Sequence, residues 1–252
     1  MPVTLRVGRF FLAIAMVGFG IEYFILGQFT SGLAPVPPWT PGGHLAAYMT
    51  GALLVVGGAC LAAGWQVRQA AAALSFLFVL SALLLHTQRF SGIVHSGNIR
   101  TGAFEALALG AAALVLAGSE PANGTQGPAI WAVFLGRILF GFSAVIFGIQ
   151  HFMYAAFIAS LITPWIPAKL FLAYFTGCVF IATGLAMLTN VKGSLGALWL
   201  GIMFLLWVLV LHGPLVLKAL HNQAQWASLF VALGMSGSGF IIAGSLRRLG
   251  RS

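Results

Sequence analysis

Apolar residues fill most of this chain in runs of roughly 20, separated by short stretches that hold most of the charged side chains. An apolar run of that length lets an α-helix cross the hydrocarbon layer of a bilayer. The pattern predicts an all-α integral membrane protein with eight transmembrane helices. Their predicted ranges are 8–28, 44–64, 68–88, 102–118, 131–156, 169–189, 194–213 and 226–245.

Composition excludes two broad classes of protein. Of the 252 residues, 60% are hydrophobic and 6% are charged, whereas a soluble domain carries about a quarter charged residues. The net charge of +9 would suggest a nucleic-acid partner only if lysine and arginine clustered on one face. Here they lie at the ends of apolar runs, where they act as topology signals. We therefore expect membrane lipid and no nucleic acid as a partner.

The sequence contains matching segments in its two halves. Residues 38–41, Pro-Trp-Thr-Pro, return as Pro-Trp-Ile-Pro at 164–167, and the same offset of 126 relates matching residues as far as 117–119 and 243–245. Upstream the offset is 128 and relates Gly8-Arg9 to Gly136-Arg137. The pattern predicts a tandem duplication of a four-helix unit, with a first repeat at 1–120, a linker at 121–129 and a second repeat at 130–252.

An even number of helices in each repeat makes both copies point the same way. This predicts two four-helix bundles side by side, related by a pseudo-two-fold axis along the membrane normal. Eight basic residues lie at the termini or in even-numbered loops, and four lie in odd-numbered loops. By the positive-inside rule, both termini are predicted to be cytoplasmic.

Nearly every ionisable group of the first repeat is predicted to lie at the outer end of its bundle. Buried carboxylates in hydrocarbon are costly and mark functional sites or paired groups. The candidate catalytic residues are Glu22, His86 and Glu105. The candidate ligand-binding residues are Tyr23, His44, Tyr48, Arg89, His95, Arg100, His151, Tyr174, His212 and His221.

The second repeat keeps His212 and His221 as matches to His86 and His95 but loses the charges, so the first repeat is the predicted location of an active site. The matched pairs are Glu22 with Gln150, Glu105 with Val231, Arg89 with Leu215 and Arg100 with Trp226.

Simpler interpretations of these residues remain open. Glu105 and Arg100 are most simply interpreted as an ion pair that fixes a loop. Glu22, His86 and Glu105 have the residue types of a metal site, but three separate helices give no diagnostic spacing, and no metal is assigned. His86 and His212 show no haem-specific pattern. The two cysteines are unmatched between the repeats and form no CxxC motif.

Several of these motifs resemble the DoxX-like family of four-helix bacterial membrane proteins, which is related to the DoxD subunit of thiosulfate:quinone oxidoreductase. The resemblance rests on residues 20–24 and 148–152 in the first helices, the Pro-Trp-x-Pro segments, Leu85-His86, Arg100-Thr101 and residues 104–110. It covers nearly the whole chain, once per repeat. The chain departs from the family in having two fused copies, the second without acidic residues.

The resemblance implies a multi-pass protein of the bacterial cytoplasmic membrane, near quinone and redox chemistry. The first hypothesis is an accessory membrane subunit that binds quinone in support of a partner redox subunit, rather than a stand-alone enzyme. Glu22 and His86 would move protons, Tyr48 would bind a quinone carbonyl, and Arg89 or Arg100 would stabilise the reduced anion. Quinone is the candidate cofactor.

Two alternatives belong to other classes. A small-solute transporter or exporter would place its site between the repeats near the midplane. A structural or assembly protein would use its loops to dock a partner. The sequence sets no oligomeric state.

Overall fold

The computed structural model describes residues 2–29, 43–87, 97–121 and 128–249, with the side chains of 84–87 and 249 excepted. These residues contain no β-strand, and seven of their helices are long and apolar enough to cross a membrane. Their lipid-facing sides are apolar, since many large hydrophobic side chains are exposed. The predicted class, an all-α multi-pass membrane protein, is confirmed at this level.

The helices follow the predicted ranges closely. Their observed bounds are α1 Val3–Leu26, α2 Gly43–Ala63, α3 Val67–Thr87, α4 Gly97–Ser119, α5 Ile130–Met153, α6 Ala155–Leu161, α7 Lys169–Thr189, α8 Gly193–Trp207, α9 Gly213–Lys218 and α10 Gln223–Leu249. A π-helical turn, Val208–His212, joins α8 to α9.

Two predicted spans differ from the structure. The fifth was predicted to reach residue 156, but α5 ends at Met153 and the chain turns at Tyr154 into the short helix α6. The third predicted span corresponds to α3, whose described apolar part, Val67–Leu83, is too short to count among the seven long helices.

The packing of the helices corrects the expectation of two separate bundles. In the described part of the chain, α1 packs on α2 and α10, α4 packs on α3 and α5, and α4 and α10 pack on each other. Helix α10 thus lies between α1 and α4. The first ring comprises α1, α2, α3, α4 and α10, and the second ring comprises α5, α7, α8, α10 and α4. Two rings that share α4 and α10 are therefore found in place of two separate four-helix bundles.

Close backbone contacts explain why α1 packs on α10. A Cβ atom added to Gly8 would lie 2.5 Å from the carbonyl oxygen of Gly237, and one added to Gly237 would lie 2.7 Å from that of Gly8. A Cβ on Gly136 of α5 would lie 2.5 Å from the carbonyl oxygen of Ala111 in α4. Small residues let membrane helices approach this closely, and larger ones would separate them.

Glycines at matching sequence positions also hold neighbouring helices together within each half of the chain. A Cβ on Gly20 would lie 2.7 Å from the carbonyl oxygen of Gly51, at the seam between α1 and α2. At the seam between α5 and α7, a Cβ on Gly148 would lie 2.8 Å from the carbonyl oxygen of Gly177. The same two positions therefore bring the paired helices together in both halves of the chain.

Candidate functional site

Glu22 lies on the side of α1 that faces α10. It follows Gly8 and Ala15 at intervals of seven residues, which keeps all three on one side of a helix. Gly8 touches the backbone of α10, and a Cβ on Gly234 of α10 would lie 3.3 Å from that of Ala15. Glu22 is 8% exposed, and neither carboxyl oxygen has a hydrogen-bond partner among the described residues.

Glu105 approaches the same helix from α4. Leu109, one turn further along α4, would lie 2.9 Å from a Cβ on Gly234. Gly234 is therefore the point where α1, α4 and α10 meet. From this point Glu22 is about 10 Å and Glu105 about 6 Å higher along its helix, at 1.5 Å per residue.

Both carboxyl groups lie on the same side of that junction. Leu5 and Gly244 are close together at one end of the rings, and we call the opposite end the distal end. Glu22 and Glu105 are both in the distal half of the first ring, on sides of α1 and α4 that face α10. The structure thus brings two of the three predicted catalytic residues to one helix, although from opposite flanks.

Large aromatic side chains fill the second ring. The centroid of the buried Phe180 ring lies 5.7 Å from that of Phe147, 5.6 Å from that of Phe204 and 5.9 Å from that of Trp207. The His151 ring packs on Phe180 at 5.1 Å, and its Nδ1 donates a hydrogen bond to the carbonyl oxygen of Phe147 at 2.8 Å. His151 is therefore part of an aromatic core.

Smaller side chains occupy two of the matching positions in the first ring. Ser81 stands where the second ring has Trp207, and Leu54 stands where it has Phe180. Tyr23 matches His151, is 3% exposed and packs edge-on against Phe29. At positions 54 and 81 the first ring thus has less side-chain volume than the second, and it also carries two carboxyl groups.

Arg100 lies on the seam between α4 and α5. Its Nη2 donates to the Tyr154 hydroxyl at 2.8 Å, and its guanidinium carbon lies 5.8 Å from the centre of that ring. Five residues, or about 140° of helical rotation, separate Arg100 from Glu105. The two side chains therefore leave α4 on different sides. The expected ion pair between Arg100 and Glu105 is not among the contacts of the described residues.

His44 and Tyr48 hold the seam between α1 and α2. His44 Nδ1 donates to the carbonyl oxygen of Gly27, which caps the end of α1. Tyr48 is 41% exposed and stacks on Phe24 with ring centroids 6.0 Å apart. These contacts place both residues on the outer surface of the first ring.

Tyr174 repeats the position of Tyr48 in the second half of the chain. It is also 41% exposed and packs on Phe152 at 5.6 Å. His221 is exposed in the turn before α10. The structure therefore places neither candidate inside a ring.

His212 lies in the π-helical turn. The Gly213 N–H donates to the carbonyl oxygen of Val208, five residues back, and Pro214 has no N–H to continue the α-helical pattern. His212 Nδ1 is buried and has no hydrogen-bond partner in the described part of the chain.

Three predicted site residues fall partly or wholly outside the described structure. His86 lies in the last turn of α3, but its side chain is not described, and Arg89 and His95 lie outside the described residues. Within the described residues, no group of three or more His, Cys, Asp or Glu side chains could hold a metal ion. Cys60 and Cys178 are free thiols.

The sequence reasoning missed Thr101, Tyr154, Ser81 and Trp207. A comparison of positions 81 and 207 at the offset of 126 would have revealed the change of size. Comparison of this chain with protein-family models, with curated proteins and with solved structures found no match.

Proposed function

We propose that this chain is a DoxX-like membrane subunit whose first ring binds a quinone or a similar lipid-soluble molecule in support of a partner oxidoreductase. One observation carries the proposal. The first ring has Ser81 where the second has Trp207, and it carries Glu22 and Glu105 in the same distal half. A ring that binds a ligand needs space and polar groups, whereas a ring filled by its own side chains needs neither. Smaller side chains and added carboxyl groups in one of two matched rings are therefore expected if only that ring binds a ligand.

The carboxyl groups would supply and accept protons. Reduction of a quinone takes two electrons and two protons, and here the electrons would come from the partner redox subunit. Glu22 and Glu105 would exchange the protons with the quinone oxygens, as positioned general acids do. The phenol of Tyr23 would lie beside them, with His86 at the end of α3 as the relay proposed from the sequence.

The structure redirects two roles that the sequence suggested. Tyr48 stacks on the outer surface, so the buried Tyr23 is the better candidate for a hydrogen bond to the ligand. Arg100 binds Tyr154 on the α4–α5 seam, which favours a role in positioning α4 over contact with a reduced quinone.

We place the protein in the bacterial cytoplasmic membrane with α3 as an eighth span and with both termini cytoplasmic. The tandem duplication is supported by matching close contacts at Gly20 and Gly148. The orientation is supported by Arg68 and Arg248, which bind backbone carbonyls at the end of α4 near the chain termini. Terminal epitope tags on spheroplasts should stay inaccessible until the membrane is opened.

A binding titration tests the function. A fully substituted decyl benzoquinone should quench the tryptophan fluorescence of the purified protein at one site per chain. Glu22→Leu should weaken this binding about tenfold, the effect of losing the hydrogen bond that a protonated Glu22 carboxyl would donate to a quinone carbonyl in a buried site. Thr183→Val changes the second ring away from the α4–α5 seam and should leave binding unchanged. Equal affinity in wild type and Glu22→Leu would remove Glu22 from the site.

Transport of a small solute is the second candidate. The π-helical turn at Val208–His212 interrupts the α8–α9 span at His212, whose Nδ1 has no hydrogen-bond partner among the described residues. Transporters build solute sites at such interrupted helices. Flux of a solute out of reconstituted liposomes, lost in His212→Ala, would favour transport over the quinone proposal.

A further inference from the structure

Polar contacts bind the distal ends of α4 and α5 together. Gln150 Nε2 of α5 donates to the carbonyl oxygen of Gly97 at 3.1 Å and to the Thr101 hydroxyl at 3.0 Å. One turn away, Arg100 donates to the Tyr154 hydroxyl at 2.8 Å. We call these five residues the distal staple. Gln150 is 5% exposed, so the staple closes the seam from inside.

The seam between α10 and α1 carries none of these contacts. The matching residues are Gln223, Trp226 and Ala227 on α10 and Glu22 and Leu26 on α1. Alanine and leucine have no polar group, and the indole N–H of Trp226 donates to the carbonyl oxygen of Leu220 in the turn before its own helix. At this end no side-chain hydrogen bond joins the described residues of α1 and α10.

Aromatic rings make the contact between α1 and α10 at the level where the distal staple joins α4 and α5. The rings of Phe19 and Phe230 meet edge-on at 5.7 Å, and Trp226 stacks on Phe230 at 5.7 Å. A Cβ on Gly18 would lie 2.4 Å from the Phe230 ring, so this ring lies directly over α1. A side-chain ring can rotate away, whereas a backbone contact cannot. The Phe230 ring makes no hydrogen bond, so a change of its rotamer would open the seam here without breaking one.

The distal part of α10 is also less buried than the matching part of α4. Gly102 and Ala103 of α4 are buried, but their counterparts Ser228 and Leu229 of α10 are only half-buried. Every residue of α10 from 234 to 245 is buried. Helix α10 is thus fully buried from Gly234 to residue 245 and mostly half-buried on the distal side of Gly234.

We propose that the distal part of the α1–α10 seam, from Gly18 and Phe230 up to Glu22 and Trp226, is the lateral entrance through which a lipid-soluble molecule reaches the first ring. The inference rests on the proposed function. Ile21 and Ile25 beside the seam are 48% and 76% exposed, so the seam opens toward apolar surroundings. Glu22 lies immediately behind it, where a polar head group would meet the carboxyl while its apolar tail stayed in the bilayer.

Paired cysteine variants test the entrance. Cys60 and Cys178 are first replaced by serine, and Ala227→Cys is compared with the matched Thr101→Cys in lipid vesicles. A maleimide with a long alkyl chain reaches both positions from the bilayer. We expect Ala227→Cys to react about tenfold faster or more, because opening the α4–α5 seam requires breaking the hydrogen bonds that remain in the staple. Equal rates, or faster reaction at Thr101→Cys, would overturn the proposed entrance.

A second arm separates this inference from the function on which it rests. A fully substituted decyl benzoquinone has no open ring carbon for thiol addition and should slow the labelling of Ala227→Cys only. Fast labelling without protection would support a movable seam and contradict quinone as the molecule that uses it. Protection at both positions would contradict a single lateral entrance.

Discussion

The hydroxyl oxygens of Ser119 and Ser245 lie 2.7 Å apart and share a hydrogen bond, although 126 residues separate them in the chain. A residue meets its own counterpart only near a two-fold axis. The proposed tandem duplication therefore places its pseudo-symmetry axis beside these two serines, between α4 and α10. Arg248 closes the same region by donating to the carbonyl oxygen of Ser119 at 3.0 Å.

The serine pair makes a testable contribution to stability. Ser119→Ala should lower the free energy of unfolding by about 1 kcal/mol, the net value of a buried hydrogen bond. The double variant with Ser245→Ala should cost less than the sum of the two single variants, because both remove the same bond. Unfolding in mixed micelles with increasing SDS gives these values. Ser228→Ala, at a half-buried site where the hydroxyl bonds only to Ala224 of its own helix, is the control and should cost almost nothing. Full additivity would contradict a shared bond.

The backbone contact at Gly8 predicts a larger effect. Gly8→Ala should lower the unfolding free energy by about 2 kcal/mol, since the new Cβ would overlap backbone atoms of α10. Gly136→Ala should cost a similar amount at the α5–α4 seam. In Gly57→Ala the three atoms nearest to the new Cβ all belong to the Leu74 side chain, the closest at 3.1 Å, and the higher helix propensity of alanine offsets the contact. Equal losses at Gly8 and Gly57 would contradict the close packing of α1 on α10.

The distal staple should stabilise one ring and not the other. Gln150→Leu removes two hydrogen bonds and should lower the unfolding free energy by about 2 kcal/mol. Combination with Thr101→Val should be less than additive, since the two residues bond to each other. Glu22→Gln should cost nothing by the same SDS assay, because the Glu22 carboxyl has no described hydrogen bond to lose. A loss as large as that of Gln150→Leu would contradict this asymmetry.

The difference in side-chain size between Ser81 and Trp207 can be tested by exchanging the two residue types. Ser81→Trp should fill the first ring as Trp207 fills the second and abolish quinone binding. Trp207→Ser should empty the second ring and cost about 3 kcal/mol or more of stability, as large-to-small changes in a core do. Quinone titration and SDS unfolding of both variants give the two readouts. Unchanged quinone affinity in a folded Ser81→Trp protein would place the ligand elsewhere.

The sequence predicted the helices well because the length and hydropathy of a membrane span are local properties. The range predicted for α7 agrees with the observed bounds, Lys169–Thr189. The packing of α10 on α1 and of α5 on α4 could not be predicted in this way. Gly8 and Gly237 are both small residues in apolar runs, and nothing local in the sequence says that one packs on the other.

The site was predicted in part for the same reason. The helical period places Glu22 and Glu105 in the distal half, and the structure adds that both face α10. Arg100 was assigned to Glu105 because the two residues are near in sequence. Its partner Tyr154 comes from another helix, and a choice between partners on different helices requires the packing.

Mass spectrometry of the lipids extracted from the protein, purified in a mild detergent, tests the central claim most directly. We expect about one quinone molecule per chain in the wild type and none in Ser81→Trp, since a binding ring buries most of the surface of its ligand and retains it through purification. Bulk phospholipid alone in both preparations would contradict it. A quinone retained equally by both would contradict the assignment of the first ring.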